Sequence, residues 1–356
     1  MRLKIRQMIK LMSIGFMSLA VLSCSKGDNQ LEYEKPMEFS GYTARSITKA
    51  NGSFVSGTEL PSNQAFGVYV YNTGSNTTFD PASLSTYGKF MENVKVTYTG
   101  GGAANPEKYT YSPKRYWPNS KESNRLAFFA YYPHDGAGIT KTGFADFSFT
   151  VQDTPADQVD FMLANVLDNQ MYGAAGSAHT STDIVDLKFY HMLTMIRFKG
   201  KTDAPSGATV KVNSIVLEGI YNKGTLAPDV AAASSVWTVD DTQTADYTVA
   251  MKDINLPSTT VDPSAEAVLL AEDNQTLLLL PQTISDVSHI TISYTITTTT
   301  PARTITETVS LPLKDLIAEW QRNNQIVYTL TIGLHPIEIS ASAEDWPVDE
   351  YIVIVE

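Results

Sequence analysis

Cysteine is nearly absent from this chain: there is one, Cys24, in 356 residues. No intramolecular disulfide can form and no cysteine cluster can hold a metal, so the fold rests on its core and its backbone ladders. Histidine is scarce as well. His134, His179, His191, His289 and His335 stand at none of the short spacings that zinc sites use. Basic residues are outnumbered, with 26 Lys and Arg against 38 Asp and Glu and a net charge of −12. Binding to a phosphate backbone is driven by Lys and Arg, so nucleic acid is excluded as a partner. Past the N-terminal segment no apolar run approaches the roughly 20 residues that cross a bilayer. Helical periodicity is also rare. Leu313–Arg322 is the best helix candidate, with a single turn over Pro81–Tyr87.

The signals of catalysis are missing too. No Gly-x-Ser-x-Gly elbow is present, and Gly100-Gly101-Gly102 is not followed by the Lys-Ser/Thr of a phosphate loop. Asp240-Asp241 lies in a polar stretch that reads as a solvated loop, and Asp153, Asp157 and Asp160 surround Pro155 as turn-capping residues do. His134 follows Tyr-Tyr-Pro and reads as part of a turn. His191 shares a strand face with Phe189 and Leu193, which predicts a core histidine bonded to a backbone carbonyl. No catalytic residue, metal ligand or cofactor is expected, and the chain is not expected to be an enzyme.

What is present begins at the N-terminus. Arg2, Lys4, Arg6 and Lys10 precede an apolar stretch from Leu11 to Leu22. A basic segment followed by a short apolar one and a small-residue exit is a secretion signal rather than a membrane span. The exit, Val21-Leu22-Ser23-Cys24, resembles the lipobox of bacterial lipoprotein signals. That resemblance implies cleavage before Cys24 and diacyl (palmitate-type) lipidation of its thiol. Loss of residues 1–23 removes four basic and no acidic residues, taking the balance from −12 to −16.

The rest reads as strands and turns. Met37–Tyr42, Phe66–Tyr71, Val94–Tyr98 and Phe144–Val151 alternate or are β-rich, and Leu126–Tyr132 is apolar throughout. Leu187–Phe198 is a long period-two stretch, and Ile290–Thr299, Thr304–Leu311 and Ile326–Ile332 continue the texture. Gly, Pro, Asn and Asp punctuate at hairpin spacing, the pattern of an all-β sandwich protein. A small-residue segment, Gly173–Thr180, reads as a linker. The expected organisation is a signal peptide (1–23), a tether and candidate pro-strand (24–50), an N-terminal sandwich (51–180) and a C-terminal sandwich (181–356) with a β-prone tail (347–356).

Several blocks together resemble one family. Trp117-Pro118 with Leu126–Pro133, then Asp160–Ala164, then Leu187–Thr194 with Ile196–Phe198, then Trp320–Leu330 and Trp346 are similar in content and order to blocks of the fimbrillin-like proteins of Bacteroidales, the type V pilus subunits. The resemblance implies two tandem transthyretin-like β-sandwich domains, and export to the outer membrane as a lipoprotein. It further implies removal of an N-terminal segment by a trypsin-like surface protease, and polymerisation with other pilin subunits by strand exchange. Host or bacterial surface ligands would be further partners. On that reading the processing site is Arg45-Ser46, with Lys49 as the alternative, and the donor strand is Tyr351-Ile352-Val353-Ile354-Val355. A surface glycan-binding lipoprotein is the alternative function, and it requires a solvent-facing cluster of Trp and Tyr.

Overall fold

The computed structural model describes residues 36–43, 47–50, 53–56, 59–102, 105–118, 122–141, 143–144, 147–171 and 184–346. Strands and short 3-10 turns account for all the regular structure among these residues, with no α-helix.

The strand Arg125–Tyr132 shows why the sequence takes this form. Leu126, Phe128, Ala130 and Tyr132 point into one apolar cluster with Phe39, Phe66 and Phe189. Ala127, Phe129 and Tyr131 point into a second cluster with Phe147, Phe161 and Leu163. A strand covered on both faces has no polar side, so its sequence runs apolar without alternation. Gln64–Gly74, its neighbour, is buried in the same two-sided way.

These strands are the middle of an eight-stranded sheet. Its order is Glu38–Thr43, Ile184–His191, Met162–Ala164, Arg125–Tyr132, Gln64–Gly74, Gly88–Tyr98 and Tyr109–Thr110, with Leu167–Gln170 also paired to Arg125–Tyr132. The strand Glu38–Thr43, called here the first strand, is one edge. It pairs in parallel with Ile184–His191, from Glu38 opposite Ile184 to Thr43 opposite Phe189. The sequence boundary near residue 180 falls outside the described residues. Ile184–His191, which follows it, is part of this first sheet, because Val185, Leu187 and Phe189 bury themselves in the first cluster.

Met192 and Leu193 then carry the chain across to Thr194–Thr202, which pairs in parallel with Asn324–Ile332. Asn324–Ile332 pairs in turn with the closing strand Glu338–Asp345. Facing this layer is a four-stranded sheet of Thr244–Val249, Ala208–Tyr221, His289–Thr299 and the rim strand Ala302–Pro312. The larger cluster runs between the two layers and on to the back of the first sheet. A further sheet, Ile139–Lys141, Phe147–Thr150, Lys223–Ala227 and Val236–Val239, joins strands from both parts of the chain.

Two expectations change here. Leu313–Arg322 is not a helix: Leu313–Asp315 makes one 3-10 turn and Glu319–Trp320 is a strand paired with Gln282–Thr283. Leu313 and Trp320 are both fully buried, and the Trp320 indole N–H donates to the Tyr328 hydroxyl at 3.0 Å. Tertiary pairing outweighs the weak helical preference of the segment. His191 is a core residue, yet its partner is a carboxylate: its Nδ1 lies 3.0 Å from Asp160 Oδ1, with both side chains fully buried. The turn expected over Pro81–Tyr87 is present as a 3-10 turn from Pro81 to Thr86, capped by the Asp80 side chain.

Candidate functional site

The first strand carries the geometry that matters. On the Ile184–His191 side it has a full parallel ladder. On its other side it has two isolated bridges, Pro36 with Tyr116 and Tyr42 with Glu59. Two carbonyls between those bridges are met by side chains: the Tyr109 hydroxyl donates to the Gly41 carbonyl and the Tyr111 hydroxyl to the Met37 carbonyl, each at 2.8 Å. Burial pushes both tyrosine pKa values up, so the hydroxyls stay protonated donors. The Met37 N–H is satisfied by the Arg115 carbonyl at 2.8 Å. Buried backbone groups must be paired, and here side chains pair them where a strand ladder would otherwise do so.

The strand is also the lid of the first core. Phe39 is 1 % exposed and meets Phe66, Tyr111 and Phe128 edge-on, with centroids 5.3 to 6.5 Å apart. Met37 is fully buried beside it. Each apolar side chain of this size contributes about 1.5–3 kcal/mol by burial. Gly41 lets the strand lie close to its partner, since a Cβ there would come 3.2 Å from both Leu60 and Phe189 side-chain carbons. Ser40 Oγ donates to Asp186 Oδ1 at 2.5 Å and fixes the register. Taking residues 37–43 away would leave an apolar slot with one unpaired strand edge along Ile184–His191, a template for an incoming strand.

Of the residues singled out from sequence, Cys24, Arg45, Ser46 and Tyr351 to Val355 lie outside the described residues. Arg45 and Ser46 follow Thr43, the end of the first strand, after one intervening residue. Lys49 lies in the strand Ile47–Ala50, opposite Phe54 of Ser53–Ser56. Asp240 is exposed and accepts from the Thr242 hydroxyl and N–H, which hold its carboxyl below the usual range. His134 lies beside Asp135 in a turn, and burial lowers its pKa. Tyr109 and Tyr111 were not singled out from sequence; the period-two repeat Tyr109-Thr110-Tyr111 was the signal available.

The end of the closing strand is tied to the first sheet. Trp346 stacks on His191, rings 4.1 Å apart and 10° from parallel, and its backbone N–H donates to the Asn323 carbonyl at 3.1 Å. Trp117, Trp320 and Trp346 are buried, and Trp237 is half-buried against Phe149 and Phe161. Tyr116 is the one aromatic among the large exposed apolar side chains of the described residues. No second exposed aromatic stands beside it among the described residues. Nor do the described residues contain a group of three or more His, Cys, Asp or Glu placed to hold a metal ion.

Known proteins share this architecture. The chain is 23 % identical over 384 residues to the fimbrium subunit Fim1C of Phocaeicola vulgatus, covering 96 % of this chain and 97 % of that protein. A fimbrial protein from Bacteroides vulgatus superposes with a TM-score of 0.59 at 21 % identity, over 87 % of this chain and 99 % of that one. A cell adhesion protein from Bacteroides uniformis gives 0.51 at 17 % identity, over 88 % of this chain and 100 % of that one. The model of the fimbrillin-like family matches residues 48–346, most of the sequence, and the chain belongs to the fimbrillin-like family.

Proposed function

We propose that this chain is a non-catalytic structural subunit of a surface fimbrium. It is exported as a lipoprotein on Cys24, matured by cleavage after Arg45 and assembled by strand exchange with other subunits. The observation that carries this reading is the first strand itself. It covers an apolar core, has a ladder on one side only, and is followed almost at once by Arg45-Ser46. Cleavage there would disconnect the strand from the chain, leaving it held by non-covalent contacts alone. The lipid on Cys24 would depart with it. The vacated slot accepts an extended apolar segment by β-addition, and Tyr351–Val355 of a neighbouring subunit has that composition.

The test is direct. The precursor is incubated with trypsin, the new N-terminus is sequenced, and the product is viewed by negative-stain microscopy. A new terminus at Ser46 with filaments is the expected result. Resistance of residues 40–52 to cleavage, or a cleaved product that stays monomeric, would overturn the reading. Arg45→Ala separates the candidates: it blocks maturation if Arg45 is the site, and leaves it intact if cleavage follows Lys49.

A further inference from the structure

The strand Val236–Val239 is an outer strand of the sheet that joins both parts of the chain. Among the described residues it pairs on one side only, with Lys223–Ala227. The Asp240 N–H bonds the Lys223 carbonyl at 2.9 Å and continues the register of that pair. Alternate residues of an antiparallel strand turn their backbone groups to opposite edges. Val236, Thr238 and Asp240 therefore face the partner, and Trp237 and Val239 face outward. A cleft of about 650 Å³ lies along the outward edge, within the roughly 300–1,000 Å³ of ligand sites. Val236, Trp237 and Val239 form one wall, and no residue of Lys223–Ala227 reaches it. The ribbon of Gln282–Thr283 and Glu319–Trp320 forms the other.

Both walls are held from behind. The Trp237 indole N–H donates to the Met192 carbonyl at 2.7 Å, and its ring packs on Phe149 and Phe161. The Gln282 amide accepts from the Tyr221 N–H and donates to the Tyr221 and Leu280 carbonyls, each at 3.1 Å. The charged residues of the lining are Arg322, Asp241 and Glu319, and the chain separates them by sign. Arg322 Nη1 donates to the Ala232 carbonyl at 3.4 Å. This puts it at the Val236 end, because the turn Ala232–Ser234 leads into that strand. Asp241 follows Val239 and Asp240 at the other end. Glu319 and Arg322 stand on opposite sides of Trp320, and Trp320 pairs with Gln282, itself bonded to Tyr221 just before Lys223. Glu319 is therefore at the Asp241 end. Arg322 is half-buried, and burial lowers its pKa with no carboxylate to offset the effect.

We propose that this cleft binds an extended peptide segment of a partner protein, added as a further strand beside Val236–Val239, with a carboxylate side chain at Arg322 and a cationic one at Asp241 and Glu319. Three observations choose this occupant. The outward N–H and C=O groups of Trp237 and Val239 are a free strand edge, which bonds the main chain of an incoming strand whatever its side chains. Val236 to Asp241 covers about 16 Å of extended chain, so the two charged ends together fit a segment of about five residues and not a single sugar or ion. Finally, a guanidinium that lacks a carboxylate partner recognises one through its planar fork, while Asp241 and Glu319 repel a ligand of negative charge alone. A strand carrying both signs satisfies both ends. No residue of the first strand or of Ile184–His191 lines the cleft, so binding here needs neither cleavage nor the release of a strand.

Three amidated peptides carrying an uncharged fluorophore test it: Val-Glu-Val-Thr-Val-Lys-Val, the exchanged order Val-Lys-Val-Thr-Val-Glu-Val, and a neutral version with Gln for both charged residues. Binding to the uncleaved full chain is read by fluorescence anisotropy. One charge order is expected to bind about ten- to a hundredfold tighter than the neutral peptide. Arg322→Gln should abolish that advantage without weakening the neutral peptide. Hydrogen exchange of the bound chain should slow at the Trp237 and Val239 amides and stay unchanged at Thr238. No advantage for either charge order would overturn the proposal, and so would unprotected Trp237 and Val239 amides. An Arg322→Gln variant that weakens charged and neutral peptides alike would do the same. Retention of sodium glucuronate where no peptide binds would overturn it in favour of an acidic sugar. Peptide binding lost at chain concentrations where size exclusion shows a dimer would also overturn it, since a second copy then fills the cleft. Should Arg322→Gln fail to fold, a peptide with Gln in place of its Glu alone decides the contact on the unaltered chain: weaker binding supports it and equal binding overturns it.

Discussion

The molecule has two open-sided cores, and it treats them differently. In the first, a strand from near the N-terminus returns to pair with residues 146 positions later, as its Ser40–Asp186 bond records. That strand plugs the opening with Phe39, and two tyrosine hydroxyls cap carbonyls that no ladder reaches. In the second, along the inner face of the rim strand, the described residues leave the opening unplugged, with Ile305 partly in solvent and the rim strand exposed along most of its length. The lesson is that a side-chain cap can replace a ladder on one edge of a strand. It does so with a few specific bonds whose loss is cheap compared with dismantling a sheet interior.

The largest expected effect is at the first opening. Phe39→Ala should cost about 3–5 kcal/mol in urea unfolding, because a fully enclosed ring leaves a cavity. A cost below 1 kcal/mol would mean that the first strand is already loose, and the contrast between the two openings would collapse. Next comes the tyrosine cap. Tyr109→Phe strips the Gly41 carbonyl of its donor and Tyr111→Phe strips the Met37 carbonyl, each costing about 1–3 kcal/mol. Both should speed proteolysis between residues 43 and 50. An unchanged proteolysis rate would show that the cap does not govern release. Gly41→Ala should cost about 1 kcal/mol or slightly more, as a methyl is forced against Leu60 and Phe189; melting temperature reads it.

The smallest effect belongs to the second opening and depends on pH. His335 lines that opening and is exposed, and its bond to Asp203, followed by one to the Pro336 carbonyl, raises its pKa above the usual value. A raised folded pKa stabilises the folded state fully below the unfolded value of about 6.5 and loses that stabilisation as pH climbs through the folded value. The melting temperature should therefore fall slightly from pH 5.5 to pH 9, and His335→Gln should remove that dependence. A slope that survives the substitution belongs to other groups.

Much of the fold was legible because its signal is local. The apolar run Leu126–Tyr132 announces a strand buried on both faces, and Leu187, Phe189 and His191 announce one buried on a single face. What was not legible depends on contacts between distant residues. Nothing near His191 indicates that its partner is Asp160, 31 positions away. Leu313–Arg322 carries a weak helical pattern that the pairing of Trp320 with Gln282 overrides. Ile184–His191 looks like the opening of the second half because it follows a linker-like segment, and only its burial against Phe39 and Phe66 places it in the first sheet. For the site, the alternation at Met37–Tyr42 was readable. The tyrosine cap was not, since Tyr109 and Tyr111 look like any aromatic pair on a strand.

The short crossover at Met192 and Leu193 has a mechanical consequence. It joins two strands that each sit in a parallel ladder, Ile184–His191 with the first strand and Thr194–Thr202 with Asn324–Ile332. In a filament built as proposed, a pull along the fibre enters through whatever strand fills the first slot and passes through these two residues to the second ladder. A pull directed along these strands would load both ladders in shear, with their hydrogen bonds sharing the tension, instead of peeling them open one bond at a time. The Trp346 stack on His191 sits beside that crossover and braces it. A subunit wired in this way would resist extension most strongly along the direction of these strands.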